Sequence, residues 1–325
     1  MMIQQIHSLL SRLRESNSWY NVIMLGMGFT QTAGKEGNWP KEVTHARIWD
    51  IGATWKDIHV GPDQFNWSRL DEVMAKMEGM GYKHITYVIA ATPRWAASDP
   101  NAPHSAPWLG PGTNSLPGDL NASWKPFVAN LSQRYKGRIH AYEIWNEPQL
   151  PDFMYPWNDK NRNKLAQMTK DASRIIKGND PAAKIGCGSV LPRPSSGGMK
   201  KASKYFTALK KKDSKGWCGI DFVACHIYPM GSTSQGKLWK EYHQDVKKTM
   251  KDMGCPTTKL WVTETALGLL SDGIPQDKVE KYMQTIKDYV KGGFVMWYAW
   301  ERPDLKGAWI GDGTYAWTAI KKRWS

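Results

Sequence analysis

Several features that are common in other protein classes are missing from this sequence. No run of about 18 uninterrupted apolar residues occurs, so no transmembrane helix is predicted. Low-complexity tracts and short-period repeats are also absent. At the first predicted strand, Leu25–Phe29 (LGMGF) lacks the spacing of a dinucleotide-binding glycine loop, so no phosphate-binding loop is predicted there. These absences favour a globular fold without a transmembrane span or a nucleotide-binding fingerprint.

Cysteine is scarce, with four residues at positions 187, 218, 225 and 255. They form no CxxC pair and lie near no histidine at a ligand-like spacing, so a structural zinc site is not predicted. Cys218 and Cys255 each precede a predicted strand. A disulfide between these two residues and buried free thiols both stay open, and free thiols are favoured.

The N-terminal segment MMIQQIHSLLSRLRES has apolar residues at helical spacing but not the apolar core of a signal peptide. Either the protein is not exported by that route or a leader has been removed.

Aromatic side chains are abundant, with 18 Trp, 13 Tyr and 7 Phe in 325 residues. With a hydrophobic content of 41%, they supply enough apolar surface for a large core and exclude disorder as the dominant state. The many tryptophans also provide flat amphipathic rings of the kind that sugar-binding clefts need. The net charge of +14 attracts polyanions in general without identifying one.

Short β-rich runs alternate along the chain with longer helical patterns. Most of these runs are continuously apolar, which is typical of parallel strands covered on both faces. The predicted strands are Val22–Phe29, His45–Ile51, His84–Ala91, Ile139–Trp145, Lys184–Val190, Ile220–Ile227, Lys259–Thr263 and Gly293–Ala299. The predicted helices are Ser68–Met80, Ser123–Tyr135, Arg162–Lys177, Lys200–Lys211, Leu238–Met253, Asp277–Val290 and a closing helix, Tyr315–Trp324. This alternation predicts an α/β fold, a (β/α)₈ TIM barrel in which residues 1–325 form a single domain.

Catalytic side chains of such a barrel lie at the carboxyl ends of its strands. The fourth predicted strand runs into Trp145–Pro148 (WNEP), and the seventh ends in Thr263–Thr265 (TET). Because these two strands lie across the barrel mouth, Glu147 and Glu264 are expected to face each other. Glycosidic bond cleavage requires such a pair, since one carboxyl group protonates the leaving oxygen while the other attacks the anomeric carbon.

These motifs resemble the clan A retaining glycoside hydrolases. The segments Arg47–Asp50, Gly61–Gly81 and Tyr87–Ala96 narrow the resemblance to glycoside hydrolase family 39, whose best-known members cleave β-xylosides. The similarity covers roughly Leu25 to Trp300. Family 39 xylosidases usually add a β-sandwich domain, for which this chain has no room, so no accessory domain is predicted.

The resemblance implies roles for residues near the two carboxylates. Glu147 matches the acid/base and Glu264 the nucleophile, while Asn146 matches the residue that hydrogen-bonds the sugar 2-hydroxyl in the transition state. Arg47 resembles a strand-two arginine that holds the nucleophile ionised. Glu143 is a rival acid, but its mid-strand position favours a buried partner of a basic residue such as Arg47.

The resemblance also extends to the later strands. His226 and Tyr228 match site residues of the clan, in which the tyrosine typically donates to the nucleophile. Trp297 resembles the platform beneath the sugar ring on the eighth strand, and Trp300 is expected on the opposite strand face. Three tryptophans in loop-rich segments are candidate sugar platforms or packed loop anchors: Trp95, Trp108 and Trp157.

We therefore expect a retaining β-glycoside hydrolase that cleaves a xylan- or glucan-like saccharide through a covalent glycosyl-enzyme. No cofactor or metal is predicted, and the expected partner is a saccharide rather than nucleic acid or a membrane. Two alternatives stay open: a sugar-binding barrel without catalysis, and a basic polyanion-binding protein. The lysine runs lie on predicted outer helices, which disfavours the second. A polysaccharide substrate fits secretion, and the localisation is otherwise left open.

Overall fold

The computed structural model describes residues 24–29, 39, 43–104, 109–213, 216–229, 235–266, 276–290 and 294–298. The predicted closing helix, Trp108 and Trp300 lie outside these described residues.

Eight parallel strands close into a barrel, which confirms the predicted (β/α)₈ fold. They are β1 (Met24–Phe29), β2 (His45–Ile48), β3 (His84–Ile89), β4 (Ala141–Ile144), β5 (Lys184–Val190), β6 (Phe222–Ile227), β7 (Leu260–Thr265) and β8 (Phe294–Trp297). Each strand pairs with its neighbours in chain order, and β8 closes the ring against β1. The part of the chain that the structure describes contains no β-sandwich.

Helices form the outer ring of the barrel. In the described ranges the longer ones are α1 (Ser68–Gly79), α2 (Lys125–Arg134), α3 (Asp159–Asn179), α4 (Gly198–Lys212), α5 (Gln235–Asp252) and α6 (Gln276–Tyr289). A single helical turn, Trp55–Ile58, and a short hairpin of His59–Gly61 with Gln64–Phe65 lie between β2 and α1. The sequence does not predict these two elements, because each is too short to show a periodicity.

In the strands whose burial the structure describes, most residues are buried, as their continuous apolar runs predict. All four residues of β2 and all six of β6 are buried, since the barrel interior covers one face and the helices cover the other. Aromatic rings fill the layer outside β2 and β3, where Trp55 packs edge to face on Trp124 with ring centroids 5.1 Å apart. This rigid frame fixes the directions of the strand ends that carry the candidate site.

The amino end of the barrel holds a cavity of about 300 Å³. Its lining includes His45, His84 and His140, together with Trp261 and Phe294. The imidazoles of His45 and His84 stack with ring centroids 4.3 Å apart. Burial lowers the pKa of His45 to about 3 and that of His84 to about 4, so both rings are neutral near pH 7. This cluster lies at the end of the barrel opposite the candidate site.

All four cysteines are free and buried. The predicted preference for free thiols is confirmed, and the alternative disulfide between Cys218 and Cys255 is not formed. Cys218 instead packs with its Sγ 3.4 Å from the carbonyl oxygen of Leu209 on α4. Among the helices that the structure describes, none has the length and apolarity needed to cross a bilayer.

Candidate active site

The carboxyl ends of β4, β6 and β7 bring Glu147, His226 and Glu264 together at the barrel mouth. The Oε1 atom of Glu147 lies 2.7 Å from Nδ1 of His226, and Oε2 of Glu264 lies 3.3 Å from the same nitrogen. One ligand-type atom from each of the three side chains lies within 4.8 Å of the others. The two glutamates therefore face each other across the opening, as expected from their strand ends.

Arg47 on β2 forms hydrogen bonds with Glu264 and with two residues at the end of β4. Its Nε and Nη2 atoms each donate to a carboxylate oxygen of Glu143 at 2.9 Å, and Nη2 also donates to Oδ1 of Asn146 at 2.9 Å. Its remaining nitrogen, Nη1, donates to Oε1 of Glu264. Burial alone would lower the pKa of Arg47, but the carboxylates of Glu143 and Glu264 outweigh burial and raise it. The guanidinium is therefore a fixed positive charge beside the candidate nucleophile.

Glu143 is the buried partner of Arg47 that its mid-strand position predicts. Its side chain is fully buried and its two oxygens accept the paired Arg47 hydrogen bonds. A carboxylate that receives a guanidinium in this bidentate way acts as an orienting group. Glu147, and not Glu143, is therefore the candidate acid at the mouth of the barrel.

Two residues around Asn146 adopt an uncommon backbone conformation. Trp145 has φ = 81° and Glu147 has φ = 38°, in the left-handed region that non-glycine residues rarely occupy. Hydrogen bonds fix both residues: Nε1 of Trp145 donates to the Phe153 carbonyl oxygen at 2.7 Å, and the Glu147 amide donates to Oγ of Ser189 at 3.1 Å. Strained backbone of this kind is often found at functional sites, where surrounding contacts hold a side chain in place.

Tyr228 follows β6 and donates its hydroxyl hydrogen to Oε2 of Glu264. Burial raises the pKa of Glu264, and the nearby charge of Glu147 adds to this effect. The charges of His226 and Arg47 and the Tyr228 hydrogen bond act in the opposite direction. These groups stabilise the ionised form of Glu264 against the cost of its burial.

The structure differs from the prediction at β8. Trp297 is 1% exposed and its ring packs edge to face on Tyr282 of α6, with centroids 6.0 Å apart. It pairs with Thr265, whose hydroxyl hydrogen-bonds Trp239 of α5, so both residues point to the helices. Trp297 is therefore a core residue of the outer layer and does not line the mouth.

The aromatic residue that does reach the mouth from β8 is Tyr298, which the sequence interpretation missed. Its ring lies edge to face with Tyr228, with centroids 6.4 Å apart. A Cβ atom on Gly28 of β1 would lie only 2.9 Å from Tyr298, so a glycine is needed beneath this ring. Strand alternation could have found Tyr298, because it follows Trp297 and must face the other side.

The candidate tryptophan platforms differ in exposure. Trp95 is 36% exposed, and its Nε1 donates to the His59 carbonyl oxygen at 2.8 Å, which fixes the ring at the surface. Trp157 is only partly buried and lies under two cations, Arg162 and Lys201, at 5.0 and 5.7 Å from its ring centroid. Trp95 therefore remains a candidate sugar platform, whereas Trp157 fits a packed loop anchor.

The three residues at the mouth also have a geometry that bears on metal binding. The sequence shows no cluster of ligand residues, yet Glu147, His226 and Glu264 converge closely enough to hold a metal ion. The three residues come from separate strand ends, so no spacing in the sequence reveals their proximity. Among the residues that the structure describes, Glu147, His226 and Glu264 are the one group of His, Cys, Asp or Glu side chains close enough to hold a metal ion.

Comparisons with known proteins agree with this geometry. A family model described as glycosyl hydrolase catalytic core matches residues 121–308, which include both candidate carboxylates. A curated β-xylosidase from Geobacillus stearothermophilus is 24% identical over 143 residues, which cover 42% of this chain and 26% of that protein. The chain thus matches about a quarter of the length of that relative.

Solved structures show the same barrel at low sequence identity. A monomeric β-xylosidase from Caulobacter crescentus superposes with a TM-score of 0.67 at 16% identity, over 92% of this chain and 67% of that chain. For a GH39 enzyme from Xanthomonas axonopodis pv. citri the TM-score is 0.63 at 17% identity, over 92% and 65%. For an endo-β-1,4-mannanase from Thermotoga petrophila it is 0.61 at 15% identity, over 93% and 76%. These comparisons agree with the predicted resemblance to clan A and family 39.

Proposed function

This chain belongs to the glycosyl hydrolase catalytic core family, and from that premise we propose that it is a retaining β-glycoside hydrolase acting on a xylan- or glucan-like saccharide. The observation that carries the proposal is the approach of Glu147 and Glu264, which have carboxylate oxygens within 4.8 Å of each other. Retaining enzymes hold their carboxyl groups about 5 Å apart, whereas inverting enzymes leave a wider gap for a water molecule.

In the first step, Oε2 or Oε1 of ionised Glu264 attacks the anomeric carbon and forms a glycosyl ester. The glycosidic bond breaks, and its electron pair stays on the leaving oxygen, which takes the proton of the Glu147 carboxyl group. Arg47 and Tyr228 hold the nucleophile in place, since each donates a hydrogen bond to one of its oxygens. The resemblance to clan A assigns these roles, with the acid after β4 and the nucleophile at the end of β7.

Asn146 is oriented for substrate by the same network. Its Oδ1 atom accepts from Arg47 at 2.9 Å, so its amide Nδ2 group is left to donate to a sugar hydroxyl. The clan resemblance assigns that hydroxyl as the 2-hydroxyl. A hydrogen bond that strengthens in the transition state lowers the barrier without tightening the substrate complex.

In the second step, the Glu147 carboxylate takes a proton from water, and the water oxygen attacks the anomeric carbon of the ester. The bond to Glu264 breaks and its electron pair returns to the carboxylate, which releases a product of the original β configuration. His226 contacts both carboxylates and therefore keeps Glu147 close to the reacting bond in both steps.

Proton NMR of the first-formed product should show the β-anomer, and an initial α-product would contradict the assignment.

Azide rescue separates the two glutamates by role. With a dinitrophenyl β-glycoside, whose leaving group needs no proton, Glu147→Ala should form the glycosyl-enzyme in a burst and then stall. Azide needs no general base, so it should release a β-glycosyl azide from this variant. Glu264→Ala has no nucleophile, so azide should attack from the vacated side and give the α-azide. On an oligosaccharide, each variant should lose several powers of ten in rate.

The matched control is Glu78→Ala, because Glu78 is a glutamate of α1 that pairs with Arg138 on the outer surface. It should retain wild-type turnover. The opposite pair of azide anomers would reverse the two roles, and full oligosaccharide activity in either variant would remove that residue from catalysis. Absence of any hydrolysis by the wild-type chain would favour the alternative of a sugar-binding barrel.

A further inference from the structure

We infer that the substrate-free active site is also a binding site for a divalent transition-metal ion, such as Zn²⁺, with Glu147, His226 and Glu264 as ligands. The ion would occupy the position where the sugar reacts, so it would inhibit the enzyme. The inhibitory consequence rests on the proposed function, whereas metal binding itself does not.

The distances between the three donor atoms suit a small tetrahedral ion. Zn²⁺ binds nitrogen and oxygen ligands at about 2.0–2.2 Å, which places neighbouring donors about 3.3–3.6 Å apart. Nδ1 of His226 lies 2.7 Å from Oε1 of Glu147 and 3.3 Å from Oε2 of Glu264. The two carboxylate oxygens lie within 4.8 Å of each other, so their separation would have to shorten by little more than about 1 Å to complete the triangle. Three protein ligands would leave the fourth position open toward the cleft.

The charge around these atoms favours a cation. The carboxylates of Glu143, Glu147 and Glu264 lie in one network with the guanidinium of Arg47. Arg47 directs two of its nitrogens to Glu143 and contacts Glu264 through Oε1, so Oε2 of Glu264 faces His226. Three carboxylates thus lie in a network with one guanidinium, and when both mouth carboxylates are ionised a bound cation would relieve the repulsion between them.

His226 has a partner for its second nitrogen when the first binds a metal. Its side chain is fully buried, and Nε2 has no hydrogen-bond partner among the described residues. Nε2 lies 3.8 Å from Oε1 of Glu143. Metal binding at Nδ1 requires the proton to sit on Nε2, where it would point toward Glu143. Metal-binding histidines commonly have such a carboxylate behind them, which fixes the tautomer.

The donor set also predicts which ions bind. An imidazole with two carboxylates suits Zn²⁺, Co²⁺, Ni²⁺ and Cu²⁺, whereas Mg²⁺ and Ca²⁺ prefer sites made of oxygen ligands. A transition-metal ion here would occupy both carboxylates that carry out the reaction, through Oε2 of Glu264 and Oε1 of Glu147. Inhibition should therefore be competitive with substrate and absent with Mg²⁺. Because the ion is an inhibitor, EDTA should leave the turnover of metal-free enzyme unchanged.

The test measures binding and inhibition separately on the full chain. Titration with Zn²⁺ by calorimetry, and with Co²⁺ by visible absorption, should show one site in the wild type. Glu147→Gln, which changes a side chain only 12% exposed at the mouth, should weaken binding at least about tenfold, and His226→Gln should do the same. The matched control is His84→Gln in the histidine cluster at the opposite barrel end, which should bind like the wild type.

Each outcome decides the inference. Unchanged Zn²⁺ affinity in Glu147→Gln, whose fold can be verified by circular dichroism, would overturn it. Loss of binding in His84→Gln alone would place the metal at the other end of the barrel and would also overturn it. If the wild type hydrolyses oligosaccharides but binds no Zn²⁺, only this inference fails. If it binds Zn²⁺ at Glu147 but hydrolyses nothing, only the proposed function fails.

Discussion

A single guanidinium, that of Arg47, connects the ends of β4 and β7. It satisfies Glu143 and Asn146 from β4 and its following turn, and Glu264 from β7. Because Arg47 and Glu143 are fully buried, removing the arginine would leave uncompensated charge, at a cost of about 3–5 kcal/mol. The electrostatic role of the network is therefore better tested at a neighbour that contributes one hydrogen bond.

Tyr228→Phe is such a change. It removes the hydrogen bond to Oε2 of Glu264, which favours the ionised form of that carboxylate. The pKa of Glu264 should therefore rise further above its ordinary value. Since the nucleophile must be ionised, the acid limb of the pH profile of kcat/KM should move to higher pH. The measurement is that profile on an aryl β-glycoside.

The matched control is Tyr135→Phe. Tyr135 also donates to a carboxylate, Oδ1 of Asp71 at 2.8 Å, but this pair lies between α1 and α2 on the outer ring. Its acid limb should coincide with that of the wild type. An unshifted limb in Tyr228→Phe, or an equal shift in both variants, would contradict the assignment of Tyr228.

Among the elements, the pairing of β6 with β7 determines which residues lie side by side in the site. The register shifts between the pairs Cys225–Val262 and His226–Glu264, which places Glu264 directly beside His226. The sequence could predict that both residues end strands, because each follows an apolar run. It could not predict the register shift, since a one-residue irregularity leaves no trace in apolar periodicity.

The same limit explains which parts of the site the sequence reveals. Glu147 and Glu264 could be predicted because a barrel directs the carboxyl ends of its strands to one mouth, whereas the prediction for Arg47 came from the resemblance to clan A. The resemblance predicts Trp297 at the mouth, and the pairing of Trp297 with outward-facing Thr265 shows why this prediction is wrong. The convergence of His226 with both carboxylates depends on strand order in three dimensions and has no signature in sequence spacing.

Paired substitutions on β8 test the corrected assignment. Tyr298→Ala removes a ring that packs on Tyr228 at the mouth, so it should lower kcat/KM about tenfold, equivalent to about 1.4 kcal/mol. Trp297→Ala removes a ring that is 1% exposed under α6, so it should cost about 3–5 kcal/mol of stability. Steady-state kinetics and denaturant unfolding of both variants provide the measurement. If Trp297→Ala instead reduces kcat/KM in fully folded protein, the original assignment would regain support.

At the scale of the whole molecule, several positive charges of the described residues lie on the outer helices. The lysines at the end of α4, Lys210–Lys212, belong to the outer helix ring. Surface pairs such as Arg134 with Asp71 join adjacent helices rather than face the cleft. Exposed pairs of this kind contribute about 0–1 kcal/mol each, so they add little to the stability of the fold.

Buried histidines make the stability of the fold depend on pH. Burial lowers the pKa of several histidines in the described residues: His45 to about 3, His59 to about 4, His84 to about 4 and His243 to about 3. Burial also lowers the pKa of His140. Above the unfolded-state pKa of about 6.5, these rings are neutral in both the folded and the unfolded chain, so their titration does not change the free energy of unfolding. As the pH falls below 6.5, the unfolded chain takes up protons that the folded chain excludes.

Acid should therefore destabilise the fold between pH 6.5 and about 4, by up to about 1.4 kcal/mol per pH unit for each such histidine. His243→Phe isolates one contribution, because its ring stacks on Trp239 with centroids 5.1 Å apart and phenylalanine can keep that contact. The free energy of unfolding, measured in urea at pH 7 and pH 5, should fall less steeply for this variant than for the wild type. Val246→Ala on the same helix should lower stability equally at both pH values, since valine does not titrate. Equal pH slopes for His243→Phe and the wild type would show that His243 is not held neutral by burial.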